Sequence, residues 1–126
     1  MEYVKSFRNL EVYRLSRDVS KEIYILSKKF PREEQFSLTD QIRRSSRSVG
    51  AQIAEAWGKR RYEMHFISKL TDADAEQLET QHWLEVSEEC TYLDPKKSKE
   101  LLAKCESIGK MIQSMIDKSS SFCKKP

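Results

Sequence analysis

Apolar and small residues recur at alternating intervals of four and three along almost the whole chain, and the pattern breaks only around Pro31, Gly58 and Asp94-Pro95. Because a helical turn takes 3.6 residues, such intervals collect one stripe on one side of each segment, so the pattern specifies four amphipathic helices. The first stripe is Val12, Ser16, Val19, Ile23, Leu26 and Phe30. Its helix starts between Phe7 and Leu10, where Ser6 and Asn9 both suit a cap, and ends at Pro31. In the second, Ser37 and Asp40 have the spacing of a capping box ahead of Leu38, Ile42, Ser45, Val49, Ile53 and Ala56, and Gly58 stops the helix.

The third helix is expected from about Tyr62 to Cys90 and has two semi-apolar seams. Phe66, Leu70, Ala73, Gln77, Thr80 and Leu84 form one; Ile67, Thr71, Ala75, Leu78 and His82 form the other. Asp94 as N-cap and Pro95 at the first helical position open the fourth, which carries Leu101, Cys105, Ile108, Ile112 and Met115 and ends near Ser119. Three Gly and three Pro in 126 residues are too few for the turns of a sandwich or barrel. The expected fold is therefore all-α, an antiparallel up-down-up-down four-helix bundle. Residues 1–119 make one domain, and 120–126 make a flexible polar tail.

The formal charge is only +3, but its signs are segregated. Arg43, Arg44, Arg47, Lys59, Arg60 and Arg61 crowd the second helix and its end, while residues 70–95 contain no Lys or Arg and many acids. The basic group suits phosphate contacts with RNA or DNA. It equally suits pairing with Asp72, Glu76 or Glu79, within a subunit or across an interface. Small residues surround the second helix, and a third strip of the third helix combines Asp72, Glu76 and Glu79 with Trp83. Gly50, Ala51, Ala54, Glu55, Glu76, Glu79 and Trp83 are accordingly the candidate subunit-interface residues.

Enzymatic sets are missing from the sequence. Cys90, Cys105 and Cys123 have no CxxC spacing, and are expected to be two packed thiols and one in the tail. Glu79 and His82 have the Glu-x-x-His spacing of di-iron bundles, but the second motif is absent, since Tyr62 stands three residues before His65. His82 is expected to pack in the second seam, and Glu55 to make a structural pair. No catalytic residue, cofactor or metal is predicted. The N-terminus has no apolar signal core, and no apolar run approaches the ~20 residues that span a bilayer, so a cytoplasmic protein without membrane contact is expected.

Gln41-Ile42-Arg43-Arg44-Ser45, Ser48-Val49, Ile53-Ala54-Glu55-Ala56, Phe66-Ile67, Lys69-Leu70 and Glu79-Thr80 with Trp83-Leu84 follow one another in an order that resembles a known family. It is the four-helix bundle family of proteins encoded in intervening sequences of 23S ribosomal RNA genes, and the resemblance runs from about Phe7 to Ile116. It implies a cytoplasmic bundle assembled into a homopentameric ring. A related branch, the accessory proteins of diversity-generating retroelements, implies a reverse transcriptase and nucleic acid as partners. Gln52 stands where the family commonly has Asn, Ala56 where many members have Gly, and Lys59-Arg60-Arg61 makes the following turn more basic.

Overall fold

A computed structural model describes residues 4–123, and all regular structure among them is helical. Four long helices, α1 (Glu11–Ser27), α2 (Leu38–Gly58), α3 (Glu63–Glu89) and α4 (Pro95–Asp117), are followed by a short α5 (Ser119–Phe122). Two 3-10 turns, Phe7–Asn9 and Arg32–Glu34, precede α1 and α2. α2 packs on α1 and α3, and α4 on α3 and α1, which closes a helical bundle around one core. The stripes supply that core: Ile23 from α1, Ile42 and Ile53 from α2, Phe66, Leu70 and Leu84 from α3, Leu101, Ile108 and Ile112 from α4. Among the described residues no helix is long and apolar enough to cross a membrane.

The middle of the core is polar and small. Thr80 donates to the Glu76 carbonyl at 2.9 Å while its Oγ1 lies 3.0 Å from the Ser45 hydroxyl, and buried Gln77 is held by Asp74 and Gln81. Buried hydroxyls and amides are tolerated when so bonded, and their small size lets the helices approach. Two glycines mark the closest approaches. A Cβ on Gly50 would meet Ser16 Oγ at 3.0 Å, and one on Gly109 would meet Gln77 Nε2 at 2.9 Å.

Helix ends differ from the sequence reading in instructive ways. Ser6 caps the first 3-10 turn and α1 begins only after extended Leu10. The expected Ser37–Asp40 capping box does not form: Ser37 has ψ −102°, outside the extended N-cap geometry, its amide already bonds the Glu34 carbonyl at 3.0 Å, and its hydroxyl donates to the Glu34 carboxylate at 2.6 Å. Glu34 then faces the first amide of α2, Leu38 N, at 3.5 Å and accepts from the Tyr92 hydroxyl at 3.0 Å. One carboxylate thus ties the α1–α2 connection to the α3–α4 connection, and these hydrogen bonds hold its pKa below the usual value. At the end of α3 the Tyr92 amide bonds the Ser87 carbonyl and Thr91 adopts φ 62°, the left-handed position that Gly usually fills. Asp94 caps α4 as expected, accepting from the Lys97 amide at 3.3 Å.

Residues 120–122, expected in the tail, join Ser119 in α5. Phe122 stacks on Phe66 with ring centroids 5.8 Å apart, and Ser119 bonds Glu63 at the start of α3. The last part of the expected tail, residues 124–126, lies outside the described residues. Cys90, expected to be packed, is exposed at the end of α3, whereas Cys105 is buried and Cys123 half-buried. His82 is also exposed, because the second seam of α3, beyond half-buried Ile67, stays open to solvent.

Candidate interaction surface

α1 presents a basic flank that the sequence reading missed. Arg14, Arg17, Lys21, Tyr24 and Lys28 follow one another at intervals of three and four, so they share one side of the helix. That side turns toward α2, where Arg43 and Arg47 join it. Between the two helices runs an open groove of about 700 Å³ whose floor includes Gly50, Ala51 and Ala54. Lys28, Arg43 and Arg47 place their charges 4.8, 4.8 and 5.4 Å from the centre of the Tyr24 ring, an aromatic site for cations. Arg43 Nε also donates to Ser27 Oγ at 2.7 Å, and Arg17 to the Tyr13 hydroxyl at 2.7 Å. Among the described residues none of Arg14, Arg17, Lys21, Arg43 or Arg47 has a carboxylate partner. Asp18, at the edge of the groove, is engaged on the other flank of α1 by Lys104 at 2.8 Å.

The six basic residues picked out in sequence do not form one patch. Arg44 is exposed and only loosely paired with Asp40, at 3.9 Å. Lys59 lies ~18 Å further along the axis from Arg47, at 1.5 Å per residue. Beside it Arg60 folds back over Trp57, 3.6 Å from the ring centre, with its Nε bonded to the Trp57 carbonyl at 2.8 Å. Lys59 and Arg61 are exposed.

The acidic strip of α3 lies along the opposite flank of α2. Lys69, one turn before it, reaches Gln52 of α2 at 3.3 Å and stands 3.8 Å from Glu55 and 3.9 Å from Asp72. Further along, Glu79 accepts from Trp83 Nε1 at 3.1 Å, and the His82 ring meets Trp83 edge-on at 4.7 Å. Pairing of Arg43, Arg44 or Arg47 with Asp72, Glu76 or Glu79 does not occur within the chain. Partial burial of Glu76 and the neighbouring charges of Glu79 and Asp72 raise its carboxyl above the usual range, as expected of acids lacking a cation. Beside this ridge the open seam of α3 exposes Met64 (74%), Leu78 (55%) and Ala75.

The candidate interface residues are thereby spread over two faces. Ala51 and Ala54 line the α1–α2 groove, Glu76, Glu79 and Trp83 form the α3 ridge, and Glu55 is exposed on α2 near Lys69. Gly50 is buried against Tyr13 and Ser16 of α1. Among the described residues no three His, Cys, Asp or Glu side chains converge as metal ligands. Burial pushes the Cys105 thiol up to about 12, which keeps it an unreactive packing group.

Fold and surface together define a helical-bundle protein. Its residues 8–114 match the family model described as 23S rRNA-intervening sequence protein, and the chain belongs to that family. It is similar to a crystal structure of a protein of unknown function from the S23 ribosomal protein family of Bacteroides thetaiotaomicron VPI-5482. The two are 31% identical with a TM-score of 0.76, over 84% of this chain and 95% of the other. No curated protein matches the chain.

Proposed function

We propose that the chain is a non-enzymatic, self-assembling scaffold, a homo-oligomer of up-down-up-down antiparallel bundles. The observation that carries this reading is the open seam of α3. Met64, Leu78 and Ala75 leave apolar side chains in solvent beside a ridge on which Glu76 and Glu79 have no cation among the described residues, on a helix whose other seam is fully packed. Exposed apolar side chains gathered on one helix face suit an interaction site. The antiparallel topology is supported by Arg43 near the start of α2 bonding Ser27 at the end of α1, and by Glu63 at the start of α3 bonding Ser119 just beyond α4. Five subunits is the number that the family resemblance implies. Sedimentation velocity at micromolar concentration tests the proposal: a species of five times the chain mass is expected, and a stable monomer refutes it.

A second reading, in which exposed cations hold RNA or DNA, or a reverse transcriptase, is favoured by Lys59 and Arg61, which have no carboxylate partner among the described residues. Phosphate contacts of this kind weaken steeply with salt. Anisotropy titrations against structured RNA and duplex DNA at low and high salt check it. Salt-sensitive binding that Lys59→Ala/Arg61→Ala weakens is the expected result, and no binding to either polymer rejects a nucleic-acid partner.

A further inference from the structure

We propose that the basic groove between α1 and α2 receives the acidic ridge of α3 from a second copy of this chain, with Trp83 as the anchoring side chain. This rests on the self-assembly proposed above and says which two faces meet.

Both faces are built on the same spacing. The ridge runs Asp72, Glu76, Glu79, Trp83, at intervals of four, three and four, while the groove wall on α1 runs Arg14, Arg17, Lys21, Tyr24, at intervals of three, four and three. At 1.5 Å rise per residue the ridge is ~16 Å long and the wall, from Arg14 to Tyr24, ~15 Å. One helix face can therefore lie along the other over its full length. The charges are complementary and largely unmatched at home: the groove cations have no carboxylate, Glu76 and Glu79 have no cation among the described residues, and only Asp72 of the ridge is paired, with Lys69 at 3.9 Å. Cations aligned with a partner's acids speed encounter and set register. The raised carboxyl of Glu76 is what an isolated subunit shows when its acids await a partner.

Shape and direction agree with the charges. Ala51 and Ala54 leave the groove floor low, so a bulky side chain such as Trp83 has room to enter, and Trp and Arg are the usual anchors of such contacts. The groove and the ridge also lie on opposite flanks of α2: Gly50 turns to α1 and Gln52 to α3, ~200° apart on the helical wheel. Two different, complementary faces make a head-to-tail contact, which closes into a ring when the rotation between copies permits. A polyanion is the rival occupant of the groove. It is disfavoured because Arg43 and Arg47 already lie over Tyr24, leaving that ring less free for base stacking.

Charge reversal on each face tests the assignment. Arg17→Glu/Lys21→Glu changes the groove, Glu76→Lys/Glu79→Lys changes the ridge, and a third protein carries all four substitutions. Each is checked for helical content by circular dichroism and then sedimented beside the wild type. The expected result is an assembled wild type, a roughly 100-fold or greater loss of association in each half-reversed protein, and recovery in the fully reversed one. Recovery separates a contact between these two faces from general damage to the fold. An assembled wild type whose half-reversed variants assemble equally well overturns this pairing while leaving self-assembly intact. A monomeric wild type overturns both. Unchanged assembly with loss of binding to a short labelled RNA in the groove variant alone assigns the groove to a polyanion and overturns the pairing.

Discussion

The two flanks of α1 carry charges of opposite fate. Toward α4, Lys104 sits 2.8 Å from Asp18 and 2.6 Å from Glu22, and Lys97 adds a contact of 3.6 Å to Glu22 and one of 3.1 Å to Glu100. Toward α2, the cations meet only aromatic rings, hydroxyls and carbonyls. The first flank is finished within the subunit; the second is not. Local sequence density of charge is similar on both flanks, so what separates them is the composition of the neighbouring helix. An ion-pair network of that kind fixes how α4 lies on α1, while an unmatched flank is available to something outside.

The comparison can be broken most severely at the floor of the groove. Gly50→Val adds a branched side chain where even a Cβ meets Ser16 Oγ at 3.0 Å. It should cost about 2–3 kcal/mol in urea unfolding by forcing α1 and α2 apart. On the finished flank, Lys104→Met leaves Asp18 without its cation and Glu22 with Lys97 alone, at 3.6 Å. Exposure of the pair limits the loss to about 1 kcal/mol, and that loss should shrink in high salt.

Two acids sharpen the contrast through pH. Hydrogen bonds from Ser37 and Tyr92 lower the pKa of Glu34 below its unfolded value, so its contribution is complete above that value and is lost as pH falls through the lower, folded one. Urea midpoints of wild type and Glu34→Gln should therefore converge in acid. Glu76 is raised, by burial first and then by Glu79 and Asp72. Its folded form keeps the proton longer, so stability declines as pH rises from the unfolded carboxylate value through the raised one. In the dissociated subunit Glu76→Gln should gain on wild type over that interval. Smallest of all, Arg17→Gln in the dissociated subunit should change stability by no more than about 0.5 kcal/mol, since no carboxylate is left behind. A larger loss would mean that the groove flank is finished after all.

Much of the bundle was legible because its signals are local. The first seam of α3, from Phe66 to Leu84, is buried residue for residue, and Asp94-Pro95 opens α4 where the cap and proline require. The Ser37–Asp40 box failed because the preceding turn holds Ser37 away from the extended N-cap geometry and its amide on the Glu34 carbonyl. The basic stripe of α1 was present in the spacing of Arg14, Arg17 and Lys21, yet its residues are dispersed along the chain and are less conspicuous than the Arg43-Arg44 and Arg60-Arg61 pairs. Arg60, conspicuous in sequence, spends its guanidinium on Trp57.

Periodicity by itself determined the helices and their buried stripes, since which residues share a helix face depends only on a turn of 3.6 residues. Charge pairing between helices was decided by tertiary structure alone. Lys104 meets Asp18 across 86 positions of sequence, while Glu76 meets no cation among the described residues. An ion pair forms only over a few ångströms, and which charges come that close is set by which helices the packed core makes neighbours.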